Sequence, residues 1–497
     1  MKNIYELFLD NALLYHDKVA IACDNKSYLY EDLKNSIESM SCALKIDGVK
    51  KGSRVMVMLE NSYEFAVLFF AIAKIGAIIA PIDTTSKFDT IKLLLQNIES
   101  KYLITNSIIK KNFNEIDARV VDINTLFECR DKLDSETDEA IDPRDDYILT
   151  MTSGSTGDPK AILLSQDVKI NRAIAGAKKL YDLDRNDVVL CASPMYHSLG
   201  MRLVILPLII GATCVILKKF HPRLWIDTVK QHNATFTIAV STHLKQLVKY
   251  LQDGEVISLK RIVSSSALLS TDTKQECIEK FQCKIDECYG ASEIGIATNL
   301  AFEDTQKLKS VGKALDYVDL KVVDENGKVL QHGEIGEIIV KTTTPFINYY
   351  KNDIKTTQSV KDGYFYTEDL GYLDEDGYLF FCGRKKDVII VSGMNIYPKD
   401  IEEVILGVRG VKECCVVGVD DEYFTEGILA VLVINDEFNL KDVKIACFKA
   451  LSNHQQPMAY EIVDALPKNK MGKVQKFKLK EMFKDYDLSK DIRRILR

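Results

Sequence analysis

The sequence predicts an α/β fold with a large, multi-subdomain N-terminal part built of βαβ sheets and a β-rich subdomain, followed by a small α+β C-terminal domain. The chain has 497 residues, of which 46% are hydrophobic and 28% are charged, so it can bury several cores. Short apolar runs alternate with longer segments of helical period before Val311, which is typical of parallel sheets covered by helices. The pattern changes at Val311 and again after Gly383.

The N-terminal sheets are predicted from apolar runs of four to six residues. These strand candidates are residues 55–59, 77–82, 102–105, 188–192, 213–217, 236–240 and 261–264. The segments 62–75, 90–98 and 223–232 lie between some of these runs and have helical period. Strand, helix and strand at this spacing predict βαβ units.

The β-rich subdomain is predicted from a hairpin pattern. Apolar segments 320–323 and 335–341 flank Asp324-Glu325-Asn326-Gly327, and Asn-Gly is a frequent hairpin turn. After Gly383, apolar segments at 388–391, 401–406, 414–419 and 428–434 precede a helical stretch from 440 to 451. This last pattern predicts a compact α+β domain of about 110 residues.

Composition excludes several classes of protein. Lys and Arg number 65 against 72 Asp and Glu, a net charge of −7, which argues against a nucleic-acid binder that relies on bulk positive charge. Twelve scattered cysteines predict reduced thiols rather than a disulfide scaffold. The apolar stretches 65–82 and 203–217 are interrupted by Lys, Gly or Pro, so neither is expected to span a membrane. A cytoplasmic protein without a targeting segment is expected.

The strongest local signal is a Ser/Gly-rich segment between two apolar runs. It reads Thr152-Ser153-Gly154-Ser155-Thr156-Gly157-Asp158-Pro159-Lys160, and runs 147–149 and 161–164 flank it. Glycines let the backbone curl so that several N–H groups meet anionic oxygens, and Lys160 adds a positive charge. A surface turn is the alternative for such a segment alone. The Walker spacing is absent, which disfavours a Walker-type ATPase.

Several further motifs follow in a fixed order along nearly the whole chain. They are Val49-Lys50-Lys51-Gly52-Ser53-Arg54-Val55, Ala71-Ile72-Ala73-Lys74-Ile75-Gly76-Ala77, Cys288-Tyr289-Gly290-Ala291-Ser292-Glu293, Tyr366-Thr367-Glu368-Asp369, Gly383-Arg384-Lys385-Lys386-Asp387, Ser392-Gly393-Met394-Asn395-Ile396-Tyr397-Pro398 and Gly472-Lys473. Together with the Ser/Gly segment, they resemble the adenylate-forming superfamily, and the acyl- and aryl-CoA synthetases in particular. The resemblance implies an enzyme that activates a carboxylic acid with ATP and Mg²⁺ and transfers it to coenzyme A.

The resemblance also assigns roles to individual residues. It implies that ATP is held by Thr152, Ser153, Gly154, Ser155, Thr156, Gly157, Lys160, Tyr289, Gly290, Ser292, Asp369 and Arg384, and that Glu293 anchors Mg²⁺. Lys473 matches the catalytic lysine, and His197 matches a position beside the acid pocket. Gly393 matches the place where the pantetheine chain of CoA passes.

A mobile C-terminal domain follows from the same resemblance. It implies an N-terminal ATP- and carboxylate-binding domain at 1–383, a hinge at 384–386 that includes Lys386, and a C-terminal domain at 387–497. A hinge needs only a few changes of backbone angle, and it would bring Lys473 and Gly393 to the site in turn.

Departures from the family pattern bear on the substrate and on activity. Residues 199–205 contain no acidic residue to pair with a substrate ammonium, which disfavours an amino acid. The only tryptophan, Trp225, lies outside the motif in which acetate-type enzymes shorten the pocket. Ser292 replaces the usual Thr, Glu368 replaces Gly and Ala161 replaces Gly. A regulator that binds nucleotide without catalysis is therefore an alternative.

The acceptor stays open between two thiols. The form Asn395-Ile396-Tyr397-Pro398 resembles the acyl- and aryl-CoA synthetases and favours CoA. The basic segment from Pro467 to Arg497 suits either the CoA phosphates or the acidic face of a carrier protein. The expected ligands are therefore a small carboxylic acid, ATP and CoA, with a carrier-protein phosphopantetheine as the alternative acceptor. The identity of the acid does not follow from these residues.

Overall fold

The computed structural model describes residues 1–106, 113, 116–127, 139–152, 160–252, 255, 257–421, 423–469 and 472–488, apart from the side chain of residue 152. These residues belong to two compact units. The first unit comprises residues 1–308, 315–318 and 341–365, and the second comprises 309–314, 319–340 and 366–497. The division of the chain into 1–383, 384–386 and 387–497 stays a prediction.

The helices and strands have the following bounds. The helices are α1 Ile4–Leu14, α2 Tyr30–Ile46, α3 Tyr63–Ile75, α4 Phe88–Asn97, α5 Ile123–Phe127, α6 Gln166–Ile174, α7 Ser198–Ile209, α8 Pro222–His232, α9 Ser241–Tyr250, α10 Thr271–Phe281, α11 Asp353–Ser359, α12 Pro398–Leu406, α13 Leu440–Ala450 and α14 Lys476–Met482. The strands are β1 Val19–Cys23, β2 Lys26–Leu29, β3 Arg54–Met58, β4 Ile78–Pro81, β5 Tyr102–Thr105, β6 Arg119–Asp122, β7 Asp146–Thr152, β8 Lys160–Ser165, β9 Val188–Cys191, β10 Thr213–Ile216, β11 Phe236–Val240, β12 Arg261–Ser265, β13 Lys284–Ala291, β14 Gly295–Leu300, β15 Lys313–Ala314, β16 Val318–Val323, β17 Gly336–Thr342, β18 Asn348–Tyr349, β19 Val360–Lys361, β20 Tyr364–Leu373, β21 Leu379–Arg384, β22 Ile389–Val391, β23 Met394–Ile396, β24 Val411–Asp421, β25 Thr425–Ile434 and β26 Ala459–Ile462.

The first unit contains two large sheets, as the βαβ pattern predicts. One has the strand order β18-β8-β7-β4-β3-β5-β6, and β3 pairs in parallel with both β4 and β5. The other runs β14-β13-β12-β11-β9-β10-β1-β2, with parallel pairing from β1 to β13. The predicted strands lie within one residue of the observed bounds, so the α/β prediction for this part is confirmed.

Helix α3 shows how local sequence fixes one of these elements. Ser62 caps its first turn by accepting a hydrogen bond from the Phe65 N–H, and Gly76 ends it in the left-handed conformation that glycine tolerates best. Nearly every side chain between them is buried, which makes α3 a core helix rather than an amphipathic surface helix. The apolar stretch 65–82 is therefore a buried helix followed by a buried strand.

The second unit contains a hairpin-rich sheet and an α+β part. In the first, β16, β17 and β20 are neighbours in this order and β21 pairs with β20. The predicted turn at 324–327 forms, with Gly327 at φ +82° and its N–H donating to the Asp324 carbonyl at 3.1 Å. In the second, the sheet order is β23-β22-β25-β24, and β26 pairs in parallel with β25.

Both faces of the β24–β25 pair are buried. Alternate residues such as Val416 and Ala430 pack on one face, and Cys415 and Val431 pack on the other. This explains the continuous apolar runs at 414–419 and 428–434, because a strand covered on both sides needs no polar alternation.

The described cysteines are free thiols. Among the described residues, no helix is both long and apolar enough to cross a bilayer.

Candidate functional site

Two paired strands hold the ends of the Ser/Gly-rich segment together. Strands β7 and β8 run antiparallel, with Met151 opposite Ala161 and Thr152 opposite Lys160. This pairing holds the two ends of the segment close together, and a loop between such ends can direct several backbone N–H groups at one anion. Ser153, Gly154, Ser155, Thr156 and Gly157 lie outside the described residues, as does the side chain of Thr152, so their contacts with ATP stay predictions.

Tyr349 connects Lys160 with Glu293 in the first unit. The Lys160 Nζ lies 5.7 Å from the centroid of the Tyr349 ring, within the range of a cation–π contact. The Tyr349 hydroxyl donates a hydrogen bond of 2.8 Å to Glu293 Oε1. Lys160 and Tyr349 line a cleft of about 580 Å³ together with Lys351 and Lys355. The sequence-predicted phosphate lysine and metal carboxylate therefore contact the same tyrosine, and further lysines lie on the Lys160 side of it.

The turn that carries Ser292 and Glu293 is a tight connection between β13 and β14. Gly290 lies opposite Ile296, and a Cβ at Gly290 would lie 2.0 Å from the Gly295 carbonyl oxygen. Glycine is therefore required at 290 by the close approach of the two strands. Tyr289 also lies on β13, one residue before this constriction.

A buried arginine that the sequence did not single out fixes this turn. Arg172 on α6 is 8% exposed and donates to the carbonyl oxygens of Ser292 and Glu293, each at 2.8 Å. It also donates twice to the Thr344 carbonyl, at 3.1 and 2.7 Å. Burial and the positive Arg202 lower the pKa of Arg172 to about 9. Arg172 is therefore a positioning residue for the predicted Mg²⁺ carboxylate.

Replacing Arg172 by Met is expected to raise the KM for Mg·ATP at least tenfold and to lower the free energy of unfolding by about 3 kcal/mol. The reason is that the carbonyl groups of three residues lose a buried charged donor. Steady-state kinetics and urea unfolding measure the two effects. Arg172→Lys keeps the positive charge but loses the planar guanidinium group. Compared with Arg172→Met, it should restore more of the free energy of unfolding than of the KM for Mg·ATP. An unchanged KM in both variants would contradict the positioning role.

His197 lies at the start of α7, where the sequence predicts the edge of the acid pocket. It occupies the cap position before Ser198, and its ring centroid is 4.5 Å from that of Tyr196. The buried Asn61 holds the preceding loop, donating to the Ser193 carbonyl at 2.9 Å and accepting from the Met195 N–H at 2.7 Å. Asn61 is a second positioning residue that the sequence pattern did not reveal.

In the second unit, Asp369 and Arg384 face each other on paired strands. They are directly opposite in the β20–β21 register, and Arg384 Nε lies 3.3 Å from Asp369 Oδ1. Asp369 is buried. Glu368, which replaces the usual Gly, has φ +58°, a left-handed conformation that costs a non-glycine residue about 1 kcal/mol or more. The usual glycine would adopt this conformation without strain, and strand β20 accommodates glutamate there.

Lys473 lies in a tight loop close to this pair. Lys468 and Val474 close the loop as a β-bridge, and the Lys473 N–H donates to Asn469 Oδ1 at 2.9 Å. The residue keeps an exposed surface, yet burial of its amine and the positive Arg384 lower the pKa of Lys473 to about 8. Asp369 raises this pKa. The structure therefore brings the predicted catalytic lysine within electrostatic range of the predicted ribose-binding pair.

Lys386 and Gly393 lie on the connection that follows β21. Lys386 is in a short 3₁₀ turn, Lys385–Asp387, directly before β22. Gly393 and Ser392 form the two-residue turn of the β22–β23 hairpin, at φ +83° and +48°. Positive φ at both positions is the geometry of a type I′ turn, which by itself explains the glycine. The hinge and pantetheine roles stay predictions.

Glu293 suits a Mg²⁺ ion that arrives with a nucleotide. Within the described ranges, no three His, Cys, Asp or Glu side chains are grouped as a metal cluster. Mg²⁺ in phosphate-transfer sites takes one or two carboxylates, and substrate phosphates and water complete its octahedron. The half-buried Glu293, oriented by Tyr349, fits the role of that single carboxylate.

Comparison with known proteins gives relatives that match along almost the whole chain. A long-chain-fatty-acid–CoA ligase of Bacillus subtilis is 28% identical, covering 97% of this chain and 94% of its own. A fatty acid–[acyl-carrier-protein] ligase, ScoC of Streptomyces coeruleorubidus, is 26% identical over 93% of each chain. The solved O-succinylbenzoate CoA synthetase of Bacillus subtilis, in complex with ATP and a magnesium ion, is 26% identical with a TM-score of 0.88, covering 95% of this chain and 99% of that one.

Two family models match the chain in the order that the motifs predict. The AMP-binding enzyme model matches residues 8–350, and the model of the AMP-binding enzyme C-terminal domain matches residues 400–473. The first model alone covers more than half of the 497 residues. The chain therefore belongs to the AMP-binding enzymes, the adenylate-forming superfamily that its motifs resemble.

Proposed function

We propose that this chain is an ATP-dependent carboxylate–CoA ligase that works in two steps. In the first, an oxygen of the acid attacks the α-phosphorus of ATP, the bond to the β-phosphate breaks, and pyrophosphate leaves with its negative charge. In the second, the CoA thiolate attacks the acyl carbon, the C–S bond forms and AMP leaves. The first step brings two anions together, so charge neutralisation and alignment are what the protein must supply.

One observation supports this proposal most strongly. Lys473, Asp369 and Arg384 are up to 104 positions apart in the sequence, yet the fold places them within electrostatic range of one another. A solvated basic loop at 468–473 has no reason to lie beside a buried Asp–Arg pair. If the Asp–Arg pair binds the ribose of a nucleotide, a lysine that must reach that nucleotide has to lie beside the pair.

The residues take the following parts in the proposed reaction. Asp369 and Arg384 bind the ribose hydroxyls, and Tyr289 offers a flat face to the adenine. Lys160 and the Ser/Gly segment bind the phosphates, with Ser292 near the α-phosphate. Lys473 neutralises charge between the carboxylate and the α-phosphate. When bound, Mg²⁺ at Glu293 supplies charge neutralisation to the phosphate oxygens. The C-terminal domain 387–497, with its hinge at 384–386, delivers Lys473 and then Gly393.

Acid-dependent exchange of labelled pyrophosphate into ATP tests the first step. We expect exchange with members of a panel of aliphatic and aryl carboxylic acids and none without acid, because only the reversal of adenylate formation returns pyrophosphate to ATP. Hydroxylamine trapping of the adenylate is the independent measurement. Absence of exchange across the panel, in protein that binds ATP, would leave a nucleotide-binding regulator as the function.

A carrier protein is the second candidate acceptor, because the relative ScoC is named for that chemistry. Thioester formation with free CoA and with a phosphopantetheinylated carrier protein, at equal thiol concentration, separates the two. We expect CoA to be used with the higher kcat/KM.

A further inference from the structure

Three cationic side chains converge on one small cavity in the first unit. Lys169 and Arg172 come from α6, and Arg202 comes from α7. Together with Ser198, Ala173 and Ile205, they line a cavity of about 10 Å³, roughly the room of one water molecule. Lys169 is 6% exposed and Arg172 is 8% exposed. Buried like charges at such a place are costly unless an anion balances them.

The described residues provide little negative charge to balance this cluster. They contain no hydrogen-bond acceptor or ion-pair partner for the side chains of Lys169 and Arg202. The bonds of Arg172 go to backbone carbonyl groups, which carry no net charge. Glu293 is the carboxylate that interacts electrostatically with Arg172. Burial and the positive Arg202 and Arg172 push the pKa of Lys169 well below its usual range, as expected for a cation without a negative partner.

The position of the cavity relates it to the acid site. Ser198 and Arg202 are one helical turn apart on α7, and Ser198 follows His197 directly. Arg172, which also lines the cavity, donates to the carbonyl groups of Ser292 and Glu293. The cluster therefore adjoins both the motif predicted to border the acid and the turn predicted to anchor the metal.

We propose that the acid substrate carries a second anionic group, a carboxylate, and that Arg202, supported by Lys169 and Arg172, binds it. The inference rests on the proposed ligase function and narrows its substrate to dicarboxylic acids. The cavity must enlarge to admit a carboxylate. Arg202 is the least buried of the three cations and has a long flexible side chain, so a change in its rotamer is the movement that opens the site.

The test compares matched acids with the wild-type chain in the pyrophosphate exchange assay. Each pair has the same length and differs only in a terminal methyl or carboxylate group, such as butyrate with succinate and hexanoate with adipate. We expect the better dicarboxylate to exceed its partner at least tenfold in kcat/KM. Equal or better use of the monocarboxylates would overturn the inference while leaving the ligase function intact. No exchange with any acid would overturn both.

Variants identify the binding residue. Arg202→Met should lower kcat/KM for the dicarboxylate at least tenfold and leave the monocarboxylate unchanged or improved, whereas Arg202→Lys should keep part of the preference. Arg223→Met, at a position whose side chain is 54% exposed on α8, is the matched control and should change neither acid. Equal losses for both acids in Arg202→Met would contradict the assignment. If Arg202→Met does not fold, Arg202→Gln replaces it in the same comparison, and the preference of the wild-type chain for dicarboxylates still tests the inference.

Discussion

Replacing Lys473 by Ala is expected to slow adenylate formation at least about 100-fold while thioester formation from supplied acyl-adenylate continues. The first step needs a cation between the carboxylate and the α-phosphate, and loss of one such group typically costs about 10²–10³-fold in rate. The second step starts from an adenylate already made, so it does not need this charge. Pyrophosphate exchange measures the first step, and release of AMP from synthetic acyl-adenylate with CoA measures the second.

Two controls separate this role from a general effect of lost positive charge. Lys478→Ala removes an exposed lysine five positions further on and should leave both steps unchanged. The pKa of Lys473, lowered to about 8, adds a pH signature. Below that value the amine is protonated and active, so kcat/KM for adenylation should fall as pH rises through about 8. Lys473→Arg keeps its charge and should lose that descending limb. Normal adenylation by Lys473→Ala would show that another group carries the reaction.

The sheet architecture could be predicted because it depends on local patterns. Run 236–240, for example, is apolar apart from Thr237 and is buried throughout, as expected for a strand covered on both faces. The ends of elements are less predictable because caps decide them. The helical period begins at residue 62, for example, whereas Ser62 is the cap that precedes α3. The motifs identify Glu293, Asp369 and Lys473 as candidate site residues. The fold then shows that Lys473 lies near Asp369, which the motifs alone do not show.

The positioning residues could not be predicted, for a physical reason. An arginine in a segment of helical period, such as Arg172, is normally expected on the solvated face. Its burial depends on carbonyl groups at residues 292, 293 and 344, which local sequence cannot reveal. Asn61 likewise acts on a loop more than 130 positions away. Glu368 is an intermediate case: the sequence shows that it replaces the usual glycine, and the structure shows that it takes the left-handed backbone conformation.

Replacing Glu293 by Gln is expected to reduce adenylation about 100-fold and to raise the Mg²⁺ concentration required for half-maximal rate. The substitution keeps the size of the side chain and an oxygen that can accept the Tyr349 hydrogen bond. It removes only the negative charge, which a Mg²⁺ ligand needs. Pyrophosphate exchange at a series of Mg²⁺ concentrations measures both effects, and thermal unfolding checks that the fold is unaffected.

Two matched variants show which property of Glu293 matters. Tyr349→Phe removes the orienting hydrogen bond but keeps the charge on Glu293. It should therefore lower the adenylation rate less than tenfold, a loss comparable to the free energy of one hydrogen bond. Glu303→Gln changes an exposed carboxylate of the same unit and should change nothing. A Glu293→Gln variant with an unaltered Mg²⁺ requirement would contradict the assignment as metal ligand. If Tyr349→Phe were then as impaired as Glu293→Gln, the hydrogen-bonded pair itself, rather than the charge on Glu293, would be what the adenylation step requires.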